Sequence, residues 1–190
     1  MRLCVYAASS AQVHPEYQQT AYALGETLAK NGHSLVYGGG STGLMGAVAD
    51  GALAHGGEVI GILPKFMADL EWGHPGLTEL QLVEDMRERK HRLLTDSDAV
   101  VALPGGCGTL EELFEAITLI QTKKIGKFPI ILVGTKFWSG LIDWIKEVLV
   151  EREHTISPED LNLFKLVDTE DEVVDVLDKF YKKYDLSPNF

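Results

Sequence analysis

The chain has 190 residues, 45% of them hydrophobic, which is enough for one domain with a sizeable core. Its formal net charge of −11 argues against a nucleic-acid backbone as partner, because that binding is driven by clustered lysine and arginine. Two cysteines make no disulfide framework, the N-terminus runs straight into a strand without a signal segment, and no apolar run approaches the roughly 18 residues of a membrane span. The expectation is a cytoplasmic protein with one domain over residues 1–184 and a mobile tail over 185–190.

Residues 3–7 read as a buried strand. The small-residue turn Ala8-Ser9-Ser10 follows, either a plain turn or a place where a ligand approaches the strand ends of an open α/β sheet, with Ser9 as the candidate contact. Pro15 opens a helix to about residue 30, with Tyr17, Ala21, Leu24 and Leu28 on one face and Asn31-Gly32 as its stop. His14 and His33 read as solvated loop residues. Residues 34–37 form a second strand that leads through a glycine-rich stretch, 38–46, into a helix over 44–55. Gly39, Gly40 and Gly43 are candidate ligand contacts there. The stretch belongs to the second strand–helix unit and no acidic residue closes the next strand, which argues against NAD; there is no Gly-Lys-Ser/Thr for a triphosphate. A strand over 58–63 precedes a loop over 64–77, whose Phe66, Met67 and Trp72 face a base or a partner subunit, or simply fasten the loop to the core.

After a short strand at 80–83 comes a charged helix ending near Leu94. At helical spacing Met86, Arg89 and Leu93 share a face, which turns Arg89 inward, and an inward arginine needs an anion. Glu112 and the substrate are the candidates. Residues 99–103 form a buried strand and 110–122 a helix, joined by Pro104-Gly105-Gly106-Cys107-Gly108-Thr109. Glycines at such a joint leave backbone N–H groups open at a helix N-terminus, which suits a phosphate, and Thr109 is able to cap the helix. Glu111 and Glu112 fall in its first turn, where they match the helix dipole yet sit beside any bound phosphate. Something cationic in a substrate or its transition state, or a partner arginine, makes sense of them. With no histidine beside it in sequence, Cys107 is set aside as a nucleophile. No metal-ligand cluster appears. The helix carries more apolar residues, Ile117, Leu119 and Ile120, than one sheet face requires, which suggests dimerisation through it. The remainder reads as a strand over 128–133, a helix over 138–150 with Leu141, Trp144, Ile145 and Val148 inward, a loop over 153–164, a strand at 166–167 and a helix over 170–184.

Strands alternating with helices imply an α/β, Rossmann-like fold with a mostly parallel sheet flanked by helices and the site at the strands' C-terminal edge. Pro104-Gly105-Gly106-x-Gly108-Thr109-x-x-Glu112, with Met86-x-x-Arg89-Lys90 upstream and the 38–46 glycine stretch, resembles the LONELY GUY (LOG) family, long labelled possible lysine decarboxylases, over roughly residues 3–150. The resemblance implies a homodimer that hydrolyses the N-glycosidic bond of nucleoside 5′-monophosphates, notably cytokinin riboside monophosphates and often AMP, giving free base and ribose 5-phosphate without cofactor or metal. On that pattern Arg89 and Glu112 are the catalytic pair, Gly105, Gly106, Gly108 and Thr109 hold the phosphate, and Met86 and Lys90 contact the substrate. Three departures bear on base selectivity more than on chemistry: Arg87 stands where the family usually has histidine, Leu93 where methionine is frequent, and Ala7-Ala8-Ser9 in place of Cys-Gly-Ser. Lysine decarboxylation finds no support, since Lys90 sits among arginines on a helix rather than in a cofactor context. The alternative is a non-catalytic nucleotide or nucleotide-cofactor binder, which the glycine loops would serve but in which Arg89 and Glu112 would have no task.

Overall fold

The computed structural model describes residues 1–68, 70, 73–95 and 97–184. Trp72 and the tail over 185–190 lie outside them. The strands β1 (Arg2–Tyr6), β2 (Ser34–Tyr37), β3 (Val59–Pro64), β4 (Glu79–Val83), β5 (Ala99–Ala102), β6 (Ile130–Val133) and β7 (Phe164–Val167) form one sheet in the order β4-β3-β2-β1-β5-β6-β7. Every pairing is parallel, with Cys4 opposite Val36 on one side and Val100 on the other. The central strands are near-continuous apolar runs because helices cover both faces. Leu3, Val5, Leu35, Tyr37, Val101 and Val133 pack against α1 (Pro15–Lys30), α2 (Gly43–Ala54) and α7 (Glu170–Tyr184). Cys4, Tyr6, Val36, Val100 and Leu132 face α4 (Met86–Leu94), α5 (Cys107–Gln121) and Trp138 of α6 (Thr135–Trp144). The turn α3 (Lys65–Ala68) interrupts the expected loop after β3.

The strand order reverses between β1 and β5, so their C-terminal ends diverge and leave a crevice, the usual ligand position in an open α/β sheet. Close helix packing holds the frame behind it. A Cβ on Gly25 of α1 would lie 2.1 Å from the Val48 carbonyl of α2, and one on Gly51 would lie 2.0 Å from the Tyr22 carbonyl.

Three local expectations are corrected. The helix expected over 138–150 starts at Thr135 and passes at Ile145 into a π-helix ending at Arg152. Trp138, Ile145 and Val150 are buried, while Trp144, which still belongs to the regular α-helical part and lies about 240° around it from Trp138, is 51% exposed. A 3-10 turn, Pro158–Leu163, lies within the expected 153–164 loop. His14 is exposed, packed edge-on against Tyr17, whereas His33 is half-buried and burial holds its pKa below the ordinary histidine value.

Candidate active site

Helix α4 begins where Asp85 caps it, its side chain accepting from the Glu88 N–H at 2.8 Å while Glu88 accepts from the Glu84 N–H at 2.9 Å. That start puts Arg89 one turn in, on the face shared with buried Leu93. Arg89 is 8% exposed. Its Nε donates to the Ile62 carbonyl and its Nη2 to the Gly38 carbonyl, both at 3.1 Å. Gly38 is required by this fit, because a Cβ there would sit 2.1 Å from Nη2. With two donors fixed on the ends of β2 and β3, the guanidinium presents Nη1 to Glu112 Oε1 at 3.8 Å, an ion pair without a hydrogen bond.

Glu112 comes from α5, and here the expected helix start is wrong. The helix begins at Cys107 with Gly106 as its cap, not at Leu110 under a Thr109 cap, and its first turn contains no acid. Glu111 and Glu112 therefore fall in the second turn, and the glycine loop itself supplies the first. The Leu110 N–H bonds the Gly106 carbonyl, whereas the amides of Cys107, Gly108 and Thr109 have no partner among the described residues. Thr109 is buried against Gly105, where an added Cβ would meet its Oγ1 at 2.1 Å. At Gly106 and Gly108 an added Cβ meets nothing within 4 Å, so the missing side chains leave open space over free amides at the positive end of a helix.

The second glycine stretch has a different task. The Leu44 and Met45 amides at the start of α2 both donate to the Ala8 carbonyl, and Thr42 Oγ1 donates to the Ser9 carbonyl. Gly43 lies at φ +63°, with room for a Cβ refused by the Ser10 and Ala8 carbonyls at 2.6 and 2.7 Å. Gly39, at φ +78°, accepts from the His74 N–H, and Gly40 bridges Gly73. Gly39 and Gly43 thus clamp neighbouring loops and do not line the cavity, while Gly40 does.

These elements enclose a cavity of about 660 Å³ at the β1–β5 switch point. Ser9 lines it from β1, Gly40, Ser41, Thr42 and Met45 from β2 and α2, Leu63 and Met67 from β3 and α3, and Met86 and Arg89 from α4. Gly106, Cys107, Gly108, Thr109, Glu111 and Glu112 complete it. Ser41, Thr42, Met45 and Leu63 carry no signal of their own in the sequence; adjacency to the glycine stretch was the available one for the first three. Lys90, expected on the substrate, does not line the cavity and bonds Glu111 and Glu115 instead. Gly105 likewise supports Thr109 from behind.

Glu112 is 13% exposed in its side chain. Burial raises its pKa from 4.5 to about 7; Arg89 opposes the rise without cancelling it, and Glu111 and Glu115 add to it while Lys90 offsets it. At neutral pH the carboxyl is near its midpoint, ready to take or release a proton.

The family described as possible lysine decarboxylase matches residues 45–177. A cytokinin riboside 5′-monophosphate phosphoribohydrolase of Arabidopsis thaliana is 37% identical over 186 residues, covering 97% of this chain and 84% of its own. One from Rhodococcoides fascians is 41% identical over 137 residues, 72% of this chain and 69% of that one. Among solved structures, the Moco carrier protein of Chlamydomonas reinhardtii superposes with a TM-score of 0.72 over 96% of this chain and 98% of that one, at 21% identity, a likeness of fold. With the family match spanning α2 to α7 and relatives aligned along nearly its whole length, the chain belongs to the LONELY GUY family.

Proposed function

We propose that the protein hydrolyses the N-glycosidic bond of a purine nucleoside 5′-monophosphate of the cytokinin riboside type, releasing free base and ribose 5-phosphate. The observation that carries this reading is the buried Arg89–Glu112 pair facing the same cavity as the open first turn of α5.

The 5′-phosphate lies on the Cys107, Gly108 and Thr109 amides, where binding energy remote from the reacting bond fixes the ribose. The C1′–N9 bond then breaks with its electron pair leaving on the base, and positive charge develops on the ribose. The Glu112 carboxylate stabilises that charge more than it stabilises the neutral ground state. It also accepts a proton from the water whose oxygen bonds to C1′, and that proton passes to the departing base or solvent. A pKa of about 7 suits a group that must both take and return a proton at neutral pH. Arg89, anchored on two carbonyls, holds its charge beside the carboxylate and is placed to reach the ribose or phosphate.

Met45, Met67, Met86 and Leu63 give the remaining wall an adaptable apolar character. This favours an N6-substituted adenine over adenine itself. The reading includes a homodimer, supported by the exposed Phe114 on α5, and a reducing cytoplasm, supported by the free thiols of Cys4 and Cys107. Sedimentation is expected to give a dimer; a concentration-independent monomer would reject that part.

The test is chromatography of N6-isopentenyl-AMP and AMP after incubation with the protein. Free base and ribose 5-phosphate are expected from both, faster from the isopentenyl compound. Binding without release would make the protein a nucleotide carrier instead.

A further inference from the structure

Lys90 follows Arg89 on α4, yet its ammonium turns along α5, where Nζ donates to Glu111 Oε1 at 2.8 Å and lies 3.3 Å from Glu115 Oε2. These two carboxylates flank Glu112 on its own helix, one residue before it and one turn after it. Two anions beside a buried carboxyl hold its proton on unless a cation answers them. The charged and titratable groups facing Glu112 are Arg89 and Lys90 from α4, Glu111 and Glu115 from α5 and, from β1, the buried Cys4 thiol and Tyr6 phenol, both kept neutral by burial. Arg89 is committed to the Ile62 and Gly38 carbonyls. Among the described residues, Lys90 is the cation that reaches both flanking acids.

We propose that Lys90 is a positioning residue for the hydrolysis, its ammonium offsetting the Glu111 and Glu115 carboxylates so that Glu112 works as the reacting carboxylate, without Lys90 touching the substrate. This role presupposes that Glu112 is the reacting group. Removing the ammonium leaves Glu112 beside two unanswered anions, so its proton is held to higher pH and the rising limb of the pH–rate profile moves with it. Substrate affinity does not change, because Lys90 lies off the cavity wall.

The experiment is a ¹³C-carboxyl titration of Glu112 in the ligand-free protein, its signal assigned by its loss in Glu112→Gln, beside the pH dependence of kcat and KM. It compares wild type, Lys90→Met, Lys90→Arg and the triple variant Lys90→Met/Glu111→Gln/Glu115→Gln. Lys90→Met is expected to raise the titration midpoint and the kcat limb together by about 0.5–1 pH unit with KM within about twofold. Lys90→Arg and the triple variant return both toward wild type. An unmoved midpoint in Lys90→Met, a midpoint that the triple variant leaves raised, or a KM increase with no shift in the limb would overturn the proposal. If Lys90→Met does not fold, Glu111→Gln/Glu115→Gln decides the same question: a lowered midpoint supports the role of the flanking charges, and an unmoved one overturns it. Because the titration needs no substrate, a shifted midpoint in a protein that hydrolyses nothing upholds the role of Lys90 in tuning Glu112 and sinks the hydrolase reading; hydrolysis with an unmoved midpoint does the reverse.

Discussion

Replacing Glu112 by glutamine should abolish catalysis and yet stabilise the protein at alkaline pH. Below about pH 4.5 the carboxyl is protonated in both folded and unfolded chains, and its burial adds no charge penalty. As pH rises, the unfolded chain releases the proton first while the folded site retains it until about pH 7, so the folded state loses stability across that window. The rise from 4.5 to about 7 corresponds to about 3 kcal/mol, fully felt above it. Glutamine has the shape of the protonated acid and no charge to desolvate. At roughly 2–4 °C per kcal/mol for a chain of this size, the variant should melt about 6–12 °C higher than wild type near pH 8 and at about the same temperature near pH 4.5. Calorimetric Tm values of the two proteins at both pH values make the comparison. An offset independent of pH, or a variant less stable than wild type near pH 8, would refute the account of Glu112 as a carboxyl forced to ionise in a buried site.

Other consequences follow from particular contacts. Gly38→Ala places a Cβ 2.1 Å from Arg89 Nη2 and must swing the guanidinium off its carbonyls, so kcat should fall about 10- to 100-fold while Tm changes by only a few degrees. Gly25→Ala does the opposite: its Cβ meets the Val48 carbonyl at 2.1 Å and the Ala52 amide nitrogen at 2.7 Å, a backbone overlap expected to cost about 1–3 kcal/mol by denaturant unfolding with kcat unchanged in the folded fraction. If the phosphate anchors the ribose on the amides of α5 as proposed, the nucleoside lacking it should show kcat/KM about 100-fold or more below that of the monophosphate in initial-rate assays.

The parallel sheet was readable because strands covered on both faces are continuous apolar runs, and β2, α1 and α7 have the bounds that their caps and composition imply. The inward arginine was also readable: Met86, Arg89 and Leu93 keep helical spacing, and the fold seats α4 so that Arg89 and Leu93 are buried. What local pattern missed were features set by tertiary partners. Glycines are poor helix formers, so Cys107-Gly108-Thr109 reads as loop although the fold continues α5 through it and shifts Glu112 by a turn. Gly39 and Gly43 resemble ligand-binding glycines, yet both lie at positive φ, Gly43 against the Ser10 and Ala8 carbonyls and Gly39 with its own carbonyl taken by the His74 N–H. The spacing places Trp144 inward beside Ile145, but the regular helix seats Trp138 in the core and leaves Trp144 about 240° away from it; the π-helix that follows from Ile145 is not announced by the spacing. Lys90 resembles a substrate contact because it adjoins Arg89; one residue along a helix is about 100° around it, and that turn carries its ammonium to Glu111 and Glu115.

The most direct test is to follow N6-isopentenyl-AMP with wild type and Glu112→Gln in parallel, measuring nucleotide affinity by calorimetry and free base by chromatography. Both proteins should bind tightly and wild type alone should release base, with one ribose 5-phosphate formed per base. Release at an undiminished rate by Glu112→Gln would contradict the assignment of the carboxyl, and binding with no release by either protein would contradict hydrolysis itself.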